Sequence, residues 1–160
     1  MTNNDVLRRV SYTFDLNDQI MPQIFSLAGF AALDDEQVSC WLKKEEDDFF
    51  VELSDRELAL FLNGFINFKR GKRDGEEPRA EEKISNNIVF QKLRIALNLK
   101  AEDILEILQL ADFRLSKHEL SAFFRKPDNK HYRECKDQVL KSFLLGLERQ
   151  LHQRGEQSES

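Results

Sequence analysis

The chain has 160 residues, 41% hydrophobic and 33% charged, with a net charge of −5 at neutral pH. That length suits about one ordinary domain. No stretch reaches the roughly 18 apolar residues of a membrane span, and the opening MTNNDVLRR has no apolar run for a signal peptide, so a cytoplasmic protein is expected.

In chain order, Asn4 is placed to cap a first helix whose Val6, Leu7, Val10 and Phe14 fall on one face. A break at Asn17-Asp18 precedes a second helix carrying Met21, Ile24, Phe25 and Ala28, with Pro22 in its first turn, where a missing N–H costs little. Asp34-Asp35-Glu36 supplies caps and charge for a third helix with Val38, Trp41 and Leu42 inside. A polar connection, Lys43–Asp48, leads to Phe50, and Ser54-x-x-Glu57 is a capping box opening a long helix with the stripe Leu58, Phe61, Leu62, Phe65, Phe68. Residues 70–83, RGKRDGEEPRAEEK, lack hydrophobic periodicity and read as a solvated linker.

The pattern then repeats. Asn4–Phe30 aligns with Asn87–Phe113, and after a one-residue slip Leu33–Gly64 aligns with Leu115–Gly146, with sixteen identities over fifty-nine pairs. Most other pairs exchange one apolar residue for another, such as Leu7/Phe90 and Trp41/Phe123, as expected of a duplicated core. Ser116-x-x-Glu119 is the matching capping box, Pro127-Asp128-Asn129 a turn, and Leu140, Phe143, Leu144, Leu147 and Leu151 the matching stripe. The expected architecture is all-α, a tandem duplication of a small domain of about four helices: a first repeat over 1–69, a charged linker over 70–85, a second repeat over 86–151 and a disordered tail over 152–160.

Three features qualify this scaffold. Gly64 and Gly146 each follow a core phenylalanine by three residues, which predicts close helix–helix approach despite glycine's cost of about 1 kcal/mol in a helix. Cys40 aligns with Ala122 and Cys135 with Leu53, so two buried free thiols are expected rather than a disulfide. The repeats also differ in sign: 1–69 carries −7 and 86–151 carries +3.

The stretches NNIVFQKLRIALNLKAEDILEIL, ELSAFFRKPDNKHYREC and DQVLKSFLLGL, with WLKKEEDDFF and FLNGFINFKRGKR in the first copy, resemble the YehS-like bacterial proteins, domain-of-unknown-function family 1456, over nearly the whole length. The resemblance implies soluble bacterial proteins with two copies of one domain and supplies no catalytic residues. The first copy is the more diverged, with Phe49-Phe50 and Leu53 where the second has Tyr132 and Cys135.

The residues themselves offer little chemistry. His118, His131 and His152 form no metal-ligand pattern; His131 and Cys135 would share a face only if a helical turn joined them. Phosphate-loop and nucleophile-elbow motifs are absent, and the run Glu45–Asp48 reads as a solvated face. No catalytic residue, metal, cofactor or small-molecule substrate is expected. The favoured reading is a non-catalytic helical-repeat module for protein contact or self-association. The alternative is nucleic-acid binding: Leu93–Leu97, Asp103–Leu108 and Ser116–Arg125 have the order of a helix-turn-helix reader. In either reading the contacts fall to Lys117, Arg125, Lys126, Lys130 and Arg133, with His118 nearby.

Overall fold

The computed structural model describes the chain except residues 31, 32, 73, 76 and 160; over 154–159 it describes the backbone alone. Arg73 and Glu76 of the expected linker and Ser160 of the expected tail thus lie outside the described residues. Among the described residues there are eight helices and no strand. The chain divides into two compact units, one holding 1–85 and 95–97, the other 86–94 and 98–160. No helix among the described residues is long and apolar enough to cross a membrane.

In the first unit α1 spans Asn3–Thr13, α2 Ile20–Leu27, α3 Asp35–Leu42 and α4 Asp55–Arg70. The second repeats the order with α5 Asn86–Ala96, α6 Ala101–Leu110, α7 Lys117–Ala122 and α8 Asp137–Glu159. The helix starts follow their sequence signals. Ser54 and Ser116 accept the N–H of Glu57 and Glu119 at 3.1 and 3.0 Å, and those carboxylates accept the serine N–H in return. Asp34 and Gln37 form the same reciprocal pair at α3. Pro22 is the third residue of α2, in its first turn as expected, and the side-chain oxygen of Asn17 accepts the N–H groups of Gln19 and Ile20.

The helix ends are duplicated as well. Asp15 and Asn98, at equivalent places after α1 and α5, take the left-handed conformation with φ of 54° and 53°; Gly29 and Asp112, after α2 and α6, take φ of 91° and 56°. Each is followed by an N–H that reaches back five residues: Leu16 to Ser11, Leu99 to Arg94, Phe30 to Phe25 and Phe113 to Leu108, at 2.8–3.0 Å. These are Schellman closures, and they turn the chain sharply enough for α2 and α6 to fold back.

Each unit packs a buried aromatic core. In the first, Phe25 on α2 meets Phe30, Trp41 and Phe61 at centroid distances of 5.9, 5.5 and 5.7 Å. In the second, the matching position is Leu108, and the central ring is instead Phe90 on α5, 5.0 Å from Phe124 and 4.6 Å from Phe143. Leu7 stands where Phe90 does, so the two copies exchange a leucine and a phenylalanine across the same core and keep its volume.

Several expectations are corrected. The N-cap of α1 is Thr2, in a capping box with Asp5, while Asn4 lies inside the helix with its side chain buried. Phe68 is 41% exposed, because the inward position on that turn belongs to Asn67, whose amide donates to the Leu27 carbonyl at 2.9 Å. The stretch 70–85 is not wholly solvated: Glu77 accepts from Asn67 at 2.9 Å, and the Ile84 N–H donates to Asp55 at 3.1 Å. Helix α8 continues through the expected tail to Glu159. Finally, the two free thiols are unequal, Cys135 being buried and Cys40 only partly so.

Candidate interaction surfaces

In both units the connection between the third and fourth helices is held by a pair of adjacent asparagines at the start of the first helix. Asn4 donates to the carbonyls of Trp41 and Val51, both at 2.9 Å, and accepts the Leu53 N–H at 2.9 Å. Asn87 does the same to Phe123 and Arg133, at 3.0 and 2.8 Å, and accepts the Cys135 N–H at 2.9 Å. The asparagines just before them, Asn3 and Asn86, donate to Leu53 O and Asp55, and to Cys135 O and Asp137, at 2.7–3.1 Å. An amide is suited to this clasp because it presents donors and an acceptor at once, so a connection without regular structure still has its inner backbone groups satisfied.

Within the connections the equivalence continues. The side chain of Asp47 accepts the Phe49 N–H at 2.9 Å, and that of Asn129 accepts the His131 N–H at 2.8 Å. Val51 N–H bonds Cys40 O and Arg133 N–H bonds Ala122 O, both at 3.1 Å. Asp47 is therefore the ring-closing acceptor of an Asx turn, which accounts for one carboxylate of the acidic run. Among the described residues no group of three metal-ligating side chains gathers anywhere. His131 and Cys135 are not joined by a helical turn: residues 132–136 have no regular structure, and His131 is exposed while Cys135 is buried.

On this common frame some outward side chains keep their charge, as at Lys43/Arg125, Lys44/Lys126 and Glu52/Glu134, while others change character, as at Asp48/Lys130, Phe49/His131 and Val51/Arg133. In the second unit a groove of about 400 Å³ has Ala122 and Phe123 among its lining, both buried, and Arg125, Lys130 and Arg133 around them, with His118, Glu119, His131 and Glu134. Glu119 is committed to its own helix: the Ser116 N–H, and then the Ser116 hydroxyl, hold its carboxyl below the usual range. Of the five candidate contact residues, the structure brings three together here. Arg125 also borders a neighbouring hollow of about 540 Å³, shared with Lys126, Phe124, Asp128 and Asn129. Lys117 stands apart, paired at 2.6 Å with Glu102, an exposed pair whose hydrogen bond lowers the Glu102 carboxyl. Helix α7 has six residues, about 9 Å of rise, which is short for a helix lying in a major groove.

At the same places the first unit carries Cys40 and Trp41, then Lys43, Asp48 and Val51, with Phe49 matching His131. Phe49 is 72% exposed and Val51 48% exposed. This apolar pair escaped the sequence reading, although the signal was present: among aligned pairs that mostly keep apolar character, Phe49/His131 and Val51/Arg133 trade apolar for polar or charged.

Comparison with known proteins agrees with the duplication. A family model described as a protein of unknown function, DUF1456, matches residues 3–71 and again 86–155. The chain is 44% identical over 155 residues to the uncharacterized protein YehS of Escherichia coli (strain K12), an alignment spanning 95% of this chain and 97% of that one. No solved structure matches it. With both repeats matched by the family model and a relative alike over nearly its full length, the chain belongs to the DUF1456 family.

Proposed function

We propose that the chain is a non-catalytic interaction module of the cytoplasm, and that its contact surfaces are the equivalent connection faces, 43–52 in the first repeat and 125–134 in the second. One observation carries the reading: a phenylalanine and a valine stand 72% and 48% exposed on a rigidly fastened connection. An exposed aromatic on a preformed backbone supplies contact area at small entropic cost, as at the centre of protein interfaces. Free thiols fit a reducing compartment. The test is capture from a bacterial lysate on the immobilised full chain. Specific retention of a partner is expected, weakened about tenfold or more in Phe49→Ser/Val51→Ser. Equal retention by both chains would overturn the assignment of these residues.

Nucleic-acid binding is the second reading, supported by the grouping of Arg125, Lys130 and Arg133 around one groove. It requires full-length protein to bind mixed-sequence duplex DNA or RNA with affinity falling steeply as salt rises, by a logarithmic slope of about −0.9 per phosphate neutralised on duplex DNA. The Glu119 and Glu134 carboxylates at the same groove and the six-residue α7 weigh for the first reading.

A further inference from the structure

We propose that the chain binds a second copy of itself, with the Phe49/Val51 knob of one chain seated in the Arg125/Lys130/Arg133 groove of the other; this rests on the contact-face reading and names the partner. The groove specifies its occupant chemically. Buried Ala122 and Phe123 offer an apolar lining, and around it Arg125, Lys130 and Arg133 outnumber the carboxylates of Glu119, which is held by Ser116, and Glu134, an arrangement that suits an aromatic ring carried among carboxylates. The chain carries such a segment. In Glu45-Glu46-Asp47-Asp48-Phe49-Phe50-Val51-Glu52 the exposed apolar pair is set among five acidic side chains.

Charge balance points the same way. Residues 43–52 hold two lysines against those five carboxylates, a net of −3, whereas 125–134 hold four Lys/Arg against Asp128 and Glu134, a net of +2. Both partners are preformed. The Asp47 bond to Phe49 N–H and the Cys40 bond to Val51 N–H fix the knob, and the Asn87 and Ala122 bonds to Arg133 fix the groove, so little ordering entropy is lost on docking. The two faces occupy equivalent positions on the duplicated fold, one apolar and acidic and the other basic, so the chain carries both halves of the contact.

Sedimentation of the full chain across a concentration and salt series tests this, using wild type, Phe49→Ser/Val51→Ser, Arg125→Glu/Arg133→Glu, and an equal mixture of the two variants. Wild-type mass should exceed the monomer, rise with concentration, and fall as ionic strength is raised from about 0.05 to 0.5 M. Each variant alone should associate about 100-fold more weakly. The mixture should regain association, since one variant keeps an intact groove and the other an intact knob. Should a double variant fail to fold by circular dichroism, Phe49→Ala and Arg125→Ala report on the same two faces with milder changes. A wild-type chain that stays monomeric throughout overturns the self-association, whereas capture of a foreign partner decides the contact-face reading by itself. Variants that associate like wild type, or a mixture no better than its components, overturn the knob-in-groove pairing.

Discussion

A methyl group on Gly64 would lie 1.9 Å from the Ile24 carbonyl oxygen, and one on Gly146 would lie 2.0 Å from that of Ile107. Both obstacles are backbone, so relief requires moving α2 from α4, or α6 from α8. Gly64→Ala and Gly146→Ala should each destabilise by about 1–3 kcal/mol in urea unfolding, overriding alanine's better propensity; stabilisation of both would refute the close-approach explanation. The clasp is equally specific. Asn87→Ala strands the Phe123 and Arg133 carbonyls and the Cys135 N–H, and a loss of about 2–3 kcal/mol is expected, with faster hydrogen exchange at Cys135; unchanged exchange would show that the amide is dispensable. The thiols provide a third check. Burial first, and then the Asp137 carboxylate, push the Cys135 thiol up to about 12, so native protein should label at Cys40 and expose Cys135 only on unfolding. Two thiols reacting alike in the native state would contradict this burial.

At the scale of elements, the helix starts were readable because their chemistry is local: Ser54-x-x-Glu57 and Ser116-x-x-Glu119 appear in the fold as written. Asn4 was misread for the opposite reason. An asparagine before an apolar stripe resembles a cap, yet its partners lie 37 to 49 residues away, beyond any local pattern. Phe68 failed similarly, since period alone extends a stripe past the turn where the neighbouring helix ends and Asn67 is the residue that meets Leu27. The capping boxes also predict a pH dependence. Glu119 has its carboxyl lowered in the folded state by the Ser116 N–H, so its contribution is present above the unfolded pKa and lost as pH falls through the folded value. Thermal stability should therefore fall on acidification through the carboxylate range, and Glu119→Gln should flatten that limb; an unchanged profile would remove the carboxylate from the account.

At the scale of the whole molecule, the duplication was readable from apolar periodicity and paired glycines, because packing constrains both copies alike. The difference between their surfaces was only half readable. Lys117, Arg125, Lys126, Lys130 and Arg133 could be picked out as cations, but their grouping depends on a connection folded by remote asparagines, which gathers three of them in one groove and leaves Lys117 on Glu102. The exposure of Phe49 was signalled in the sequence only by its exchange for His131 in the second copy. If the connection faces exist for contact rather than for folding, stability and binding must separate there. The most direct measurement is the unfolding free energy of Phe49→Ser/Val51→Ser beside its partner retention. The account predicts stability within about 0.5 kcal/mol of wild type with retention lost; a variant that unfolds, or one that still retains its partner in full, would contradict it.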